Sequence, residues 1–275
     1  MNNHGLESKD ARGFYPSPTL ASRSLSVTTM TIHQAWVKIP TQSTAIDFID
    51  AYEAYPLDAA TSAPAILVFQ EVFGVNSHIR SVVDRLAQSG YRAIAPALYQ
   101  RTAPGFEVGY TEADLALGRQ HKDLTTAPQL LSDIKDTIAY VKTQRITGDT
   151  QGVGCIGFCF GGHVAYLAAT LPEIQVTASF YGAGIPTFTP GGGEPTIQRT
   201  PEIRGTVYGF YGLADPLIPV EHIDQIEQAL QAAEVSHRIF RYPEAGHGFC
   251  CDQRSDYHPT ACADAWAKVL ELFRF

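Results

Sequence analysis

The sequence predicts an α/β protein with a mainly parallel central sheet and helices on both faces. Three observations lead there. Strand-like and helix-like patterns alternate from residue 32 to the C-terminus, the rhythm of successive βαβ units. Several strand-like runs are apolar throughout, as strands covered on both faces are. No composition break or linker interrupts 40–275, so 32–275 reads as one domain.

The elements follow in order. "AILVFQ" (65–70), after Pro64, is a short buried strand. In "NSHIRSVVDRLAQSGY", Ile79, Val82, Val83, Leu86 and Ala87 fall on one helix face. Asn76 or Ser77 caps its start and Gly90 ends it. "RAIAPAL" (92–98) is the next strand, and 128–143 the next helix, with a stripe of Leu131, Ile134, Ile138 and Val141. "GVGCIGF" (152–158) is a buried strand that runs into the nearly all-apolar helix 160–170. Strands at 176–184, 205–212 and 236–243 alternate with helices at 219–233 and 259–273, each helix with a proline near its start. The Pro/Gly-rich stretch 187–203 is a long loop without the G-K-[ST] ending of a phosphate loop. Residues 1–31 form a polar N-terminal extension, read either as disordered chain or as a start codon assigned too early. It has no apolar core for a secretory signal, and Glu7 and Asp10 are unusual in a transit peptide.

Composition excludes several classes. The 275 residues carry a net charge of −8 and no Lys/Arg-rich run, against a nucleic-acid partner. No apolar run is long enough to span a membrane. The five cysteines, odd in number and irregular in spacing, argue against a disulfide framework and for a reducing, cytoplasmic setting. Cys155 and Cys159, about 13 Å apart along a strand, cannot pair with each other. Cys250 and Cys251 with His247 and His258 suit zinc poorly, because no C-x₂-C partner accompanies them; no metal is expected.

The chemistry concentrates at "IGFCFGG", 156–162. Gly157 and Gly161 flank Cys159 at a strand-to-helix turn, the G-x-nucleophile-x-G frame of a nucleophile elbow. The following helix turns its N-terminal N–H groups toward that point, which favours a thiolate. In this architecture an acid and then a histidine follow the nucleophile. "YGLADPLIP" supplies Asp215 and "YPEAGHGF" supplies His247, each on a loop after a strand. Singly, the cysteine suits a glycine-rich turn, and the Asp and His suit ordinary turns. Together they stand in the order an acyl-transfer triad requires. His163 begins a buried helix and reads as structural.

"QEVFGVNSHIRSVVDRLAQSGYRAIAPALYQRTAPG" (70–105), "GFCFGG", "YGLADP" and "AGHGF" together resemble the dienelactone hydrolase family of α/β-hydrolases, over roughly 35–273. The resemblance implies a Cys159–His247–Asp215 triad with no cofactor. It also implies that Glu71 holds the resting thiol neutral until substrate arrives, although a glutamate at a strand end equally suits a solvated rim. The oxyanion is expected at the Phe160 and Val72 N–H groups. Arg101 matches a family arginine that binds a substrate carboxylate, and Tyr181 a family tyrosine near the site, where a core aromatic fits as well. A second family arginine is replaced by Cys251, and Arg254 is the alternative to it.

The reading is a hydrolase of a lactone or activated ester, working through a thioester acyl-enzyme on a small-molecule substrate, as monomer or small homo-oligomer. The alternatives are a general carboxylesterase or thioesterase on the same triad, and a non-enzymatic scaffold whose Cys159 senses oxidants or binds a ligand.

Overall fold

The computed structural model describes Met1, residues 30–144 and residues 152–274. Most of the expected N-terminal extension, residues 2–29, lies outside them. Eight strands form one sheet: β1 (Ile32–Pro40), β2 (Phe48–Pro56), β3 (Ala65–Phe69), β4 (Arg92–Pro96), β5 (Val153–Phe158), β6 (Ile174–Phe180), β7 (Thr206–Gly212) and β8 (His237–Tyr242). Their order is β1-β2-β4-β3-β5-β6-β7-β8. β1 and β2 form an antiparallel pair, and β2 lies antiparallel to β4. The pairs from β4 through β8 are parallel.

The helices are α1 (Ser77–Gln88), α2 (Glu112–Asp123), α3 (Ala127–Thr143), α4 (Phe160–Ala168), α5 (Val220–Ala232) and α6 (Pro259–Leu272). β3 shows why its sequence is apolar without alternation. Ile66 and Val68 point into one apolar cluster, shared with α1 and α6, while Ala65, Leu67 and Phe69 point into a second, shared with α3 and α4. Both faces of the strand are thus removed from water. The Asn76 side chain accepts from the Ile79 N–H at the start of α1, and Gly90 after its end has φ +99°.

From residue 65 onward the observed elements match the expected ones closely, with three differences; before it, the antiparallel pair β1–β2 stands where alternation of strand and helix was expected. α2 was not expected: its apolar stripe is weak, and its clearest sign is the reciprocal capping box between Thr111 and Asp114. In α3 it is Leu130, not Leu131, that is buried with Ile134, Ile138 and Val141. The loop 187–203 contains a 3₁₀ segment, Thr196–Glu202.

The cysteines require a correction. Cys250 and Cys262 form a disulfide, with Cα atoms 4.8 Å apart. They lie twelve positions apart, and the loop between them folds back so that the first turn of α6 meets Cys250, a return that linear spacing does not reveal. The bridge removes the cysteine-based case for a reducing compartment. Among the described residues, no helix is long and apolar enough to cross a membrane.

The chain steps from β3 to β4 on one side and then crosses back to β5 on the other. β3 and β5 are therefore hydrogen-bonded neighbours whose chains leave in opposite directions, which makes their C-terminal ends the switch point of the sheet. Glu71 and Cys159 lie just beyond those two ends.

One buried ion pair ties the antiparallel edge to the parallel body. Arg92 on β4 donates to Glu53 on β2 at 2.6 Å, and to the Ala60 carbonyl at 3.0 Å. Both side chains are almost fully buried, so the loss of one strands the other's charge. Arg92→Met should cost about 3 kcal/mol of unfolding free energy in urea titration. Adding Glu53→Gln should restore much of that loss; a single variant within about 1 kcal/mol of wild type would show the pair to be dispensable.

Candidate active site

The elbow is built from backbone. Cys159 is the N-cap of α4 and has φ 56° and ψ −117°, a left-handed conformation rare outside glycine. Its N–H donates to the Phe180 carbonyl at 3.1 Å, and its carbonyl accepts from Gly162 at 2.9 Å. A Cβ at Gly157 would fall on the Gly161 carbonyl, and one at Gly161 on the carbonyls of Phe69 and Gln70. Glycine at these positions lets α4 start directly against β3 and β5. The result is a half-buried thiol above the sheet edge, at the N-terminus of a helix.

Asp215 and His247 arrive from the loops after β7 and β8. His247 Nδ1 donates to Asp215 Oδ2 at 2.7 Å, and the other Asp215 oxygen accepts from the Leu217 N–H at 2.8 Å. This fixes the tautomer and leaves His247 Nε2 buried with no hydrogen-bond partner among the described residues. Burial pulls the imidazole pKa down, but the neighbouring charges of Cys159 and Asp215 outweigh it and raise the pKa to about 10. Tyr181, with φ 38°, sets its ring edge-on to His247 at 5.3 Å between centroids; its hydroxyl is buried and has no hydrogen-bond partner among the described residues.

Glu71 is fully buried. It is not the solvated rim residue its position allowed, and it is not bonded to Cys159 either. One carboxylate oxygen accepts from Arg254 Nη1 at 3.0 Å, the other from the Tyr110 hydroxyl at 3.3 Å. Arg254, not Cys251, thus supplies the cation on this loop, and its guanidinium also lies 5.8 Å from the Phe73 ring centroid. Arg101 departs from expectation. Its guanidinium forks onto Asp133 of α3 and donates to Ser43 at 3.1 Å, and it lines a separate small cavity, because a buried carboxylate on α3 claims it first.

Cys159, His247 and Arg254 open into one cavity of about 190 Å³, together with Val72, Phe160 and Phe188. Among the described residues, neither the Phe160 nor the Val72 N–H donates to any acceptor, so both are available to an oxyanion. Arg119 and Lys122 of α2 line the same cavity, and Leu115 adds an apolar wall. Sequence reasoning missed these three; the capping box that starts α2, followed by cations at 119 and 122, was the available sign. Gly118 makes their placement possible, since a Cβ there would strike the Val72 carbonyl. His163 stays outside the cavity lining: Nδ1 meets the Ala183 carbonyl at 2.9 Å and Nε2 the Thr196 hydroxyl at 2.7 Å, with burial lowering its pKa to about 4. Cys155 is sealed in the core, where burial pushes its thiol up to about 12.

A left-handed elbow at the switch point of a mainly parallel sheet, with Asp and His on the loops of later strands, defines an α/β-hydrolase. Residues 49–275 match the model of the dienelactone hydrolase family, and the chain belongs to that family. A Synechocystis relative, provisionally named carboxymethylenebutenolidase, is 52% identical over 246 residues, covering 90% of this chain and 98% of its own. A Yersinia pestis relative with the same provisional name is 35% identical and covers 90% of each chain. A crystal structure from Klebsiella pneumoniae, provisionally named a dienelactone hydrolase, superposes with a TM-score of 0.79 at 31% identity, covering 88% of this chain and 98% of that one.

The raised His247 pKa has a consequence for stability. The charged imidazole is favoured in the folded state, so its contribution is complete below the ordinary value of 6.5 and is lost as pH rises toward about 10. The stability advantage of wild type over His247→Gln, measured by urea denaturation, should be largest near pH 6 and should shrink steadily toward pH 10. An advantage that does not change with pH would mean that the imidazole is not held charged.

Proposed function

We propose that this hydrolase opens a lactone or activated ester carrying an anionic group, with Cys159 as nucleophile, His247 as base and Asp215 as its orienter. The observation that carries the reading is the His247 ring: Nδ1 is committed to Asp215 while Nε2 is unpaired and shares a cavity with the Cys159 thiol.

Cys159 and His247 stand as a thiolate–imidazolium pair, with the thiol proton already on His247 Nε2, and the thiolate attacks the carbonyl carbon. The carbonyl π electrons move to oxygen, which the Phe160 and Val72 N–H groups receive. Collapse expels the alcohol or enol oxygen, which takes the proton from His247, and leaves a thioester on Cys159. His247 then deprotonates a water that attacks the thioester, the thiolate leaves, and the carboxylic acid product departs. A thiolate nucleophile suits esters with good leaving groups, such as enol lactones.

The anionic preference is supported by Arg119, Lys122 and Arg254 around one cavity. Arg254 has the most direct role. A substrate carboxylate that draws it away from Glu71 would gain a charge-assisted hydrogen bond inside the cavity that also holds Cys159.

Two measurements test this. Wild type incubated with an enol lactone or aryl ester should gain the mass of the acyl group on Cys159, and Cys159→Ala should show neither adduct nor turnover while its far-UV circular dichroism is unchanged; turnover by Cys159→Ala would overturn the assignment. Arg254→Gln should lower kcat/KM about tenfold or more for a carboxylate-bearing lactone, the loss of one charge-assisted hydrogen bond. A neutral aryl ester should be affected far less, and equal losses on both would remove Arg254 from substrate recognition.

A further inference from the structure

A second cluster of reactive side chains lies behind the catalytic cavity. Glu71 follows β3, His78 sits in the first turn of α1, and Cys251 lies on the loop after β8. One ligand atom from each, a carboxylate oxygen, a ring nitrogen and the thiol sulfur, all lie within 4.8 Å of one another, and all three residues are buried. His78 is the telling member. It is 3% exposed, and neither ring nitrogen has a hydrogen-bond partner among the described residues. The nearest carboxylate beyond the cluster, on Asp252, is 3.9 Å from Nδ1, too far for a hydrogen bond. Its ring makes an edge contact with Phe158 and borders a small cavity of about 90 Å³ shared with Asp252.

We propose that Glu71, His78 and Cys251 form a binding site for a thiophilic divalent cation of the zinc class. The donor set is the basis. A thiolate, an imidazole and a carboxylate suit zinc or cobalt, whereas magnesium and calcium prefer oxygen alone. Tetrahedral zinc holds such donors roughly 3.5 Å apart, so closing the cluster by about an ångström of side-chain rotation completes three ligands and leaves a fourth position for water. Charge balances as well: the ionised Glu71 and Cys251 offset the two charges of the ion, and Arg254 can turn from Glu71 toward the catalytic cavity it already lines. Binding breaks the Cys251 S–H bond, the electron pair goes to the metal, and one proton leaves to solvent. Asp252 lies 3.9 Å from His78 Nδ1 on an exposed side chain, so a small rotation would bring it to the position of a carboxylate that orients a ligating histidine. The site differs from the grouping of Cys250, Cys251, His247 and His258 that sequence spacing discounted: Cys250 is in a disulfide, His247 is bound to Asp215, and two of the three ligands come from the β3–α1 segment, far along the chain from Cys251.

Glu71 belongs to both sites, but the metal site can be tested without catalysis. The full-length chain carrying Cys159→Ala, kept free of reductant so that the Cys250–Cys262 bridge stays closed, is titrated with Zn²⁺ by calorimetry in two buffers of different ionisation heat, and with Co²⁺ by absorption spectroscopy. The expected result is one Zn²⁺ per chain with about one proton released, and a Co²⁺ spectrum showing tetrahedral d–d bands and a thiolate charge-transfer band. Cys251→Ser should abolish the charge-transfer band and weaken Zn²⁺ binding about tenfold or more, and His78→Gln should weaken it similarly. If His78→Gln fails to fold by circular dichroism, the near-isosteric Cys251→Ser decides. Absence of stoichiometric binding, a thiolate band that survives Cys251→Ser, or unchanged affinity in that variant would each overturn the proposal.

Discussion

The left-handed turn at Cys159 is the constraint around which this molecule is arranged. With φ at 56°, the chain reverses within a single residue from β5 into α4, and the thiol is left standing above the sheet edge. The turn exists because flanking glycines let backbone approach backbone. The Gly161 Cα lies against the Phe69 and Gln70 carbonyls, and the Gly162 Cα against the Phe180 carbonyl. These contacts fix α4 relative to β3 and β6, and so fix the distance from the thiol to whatever those strands carry at their ends. Glu71, beyond β3, and Tyr181, beyond β6, inherit their places from that packing.

A second level of organisation is electrostatic. Several ionisable groups converge behind the thiol, and a buried carboxylate is tolerable only while it is paired. Glu71 meets this requirement with one charged donor and one neutral one, Arg254 and Tyr110, which reach it from two loops far apart in sequence. Tyr110 in turn accepts from Asn76 at 3.1 Å, so the residue that caps α1 also steadies the pair. Loop 247–258 contributes most: it carries His247 and Arg254, and its start is pinned to α6 by the Cys250–Cys262 bridge.

Much of this was legible in the sequence, for identifiable reasons. The strands 65–69 and 153–158 announce themselves as continuous apolar runs because both faces are covered. The elbow is visible because its geometry demands glycine at fixed offsets, and Asp215 and His247 because the architecture fixes their order. Arg101 misled because position along a strand end says nothing of which way a long side chain turns, and Asp133 lay on a helix some thirty residues away. Arg119 and Lys122 were missed because α2 has too thin an apolar stripe to be read by periodicity. The disulfide and the Glu71–His78–Cys251 grouping escaped for a shared reason: each depends on where loops return in space, which spacing along the chain does not encode.

The elbow separates shape from reactivity. The contacts that force the backbone through its reversal are made by main-chain atoms and by the bare Cα atoms of glycines; as the N-cap, Cys159 makes no side-chain hydrogen bond to the helix it precedes. The side chain at 159 takes no part in those contacts, although its positive φ strains any residue but glycine, so what matters there is a small Cβ substituent and its terminal atom. An oxygen or a sulfur nucleophile can occupy it at little conformational cost, while the glycines around it have no substitute. In this chain the glycine frame sets the shape of the turn, and the atom at its apex is left to chemistry.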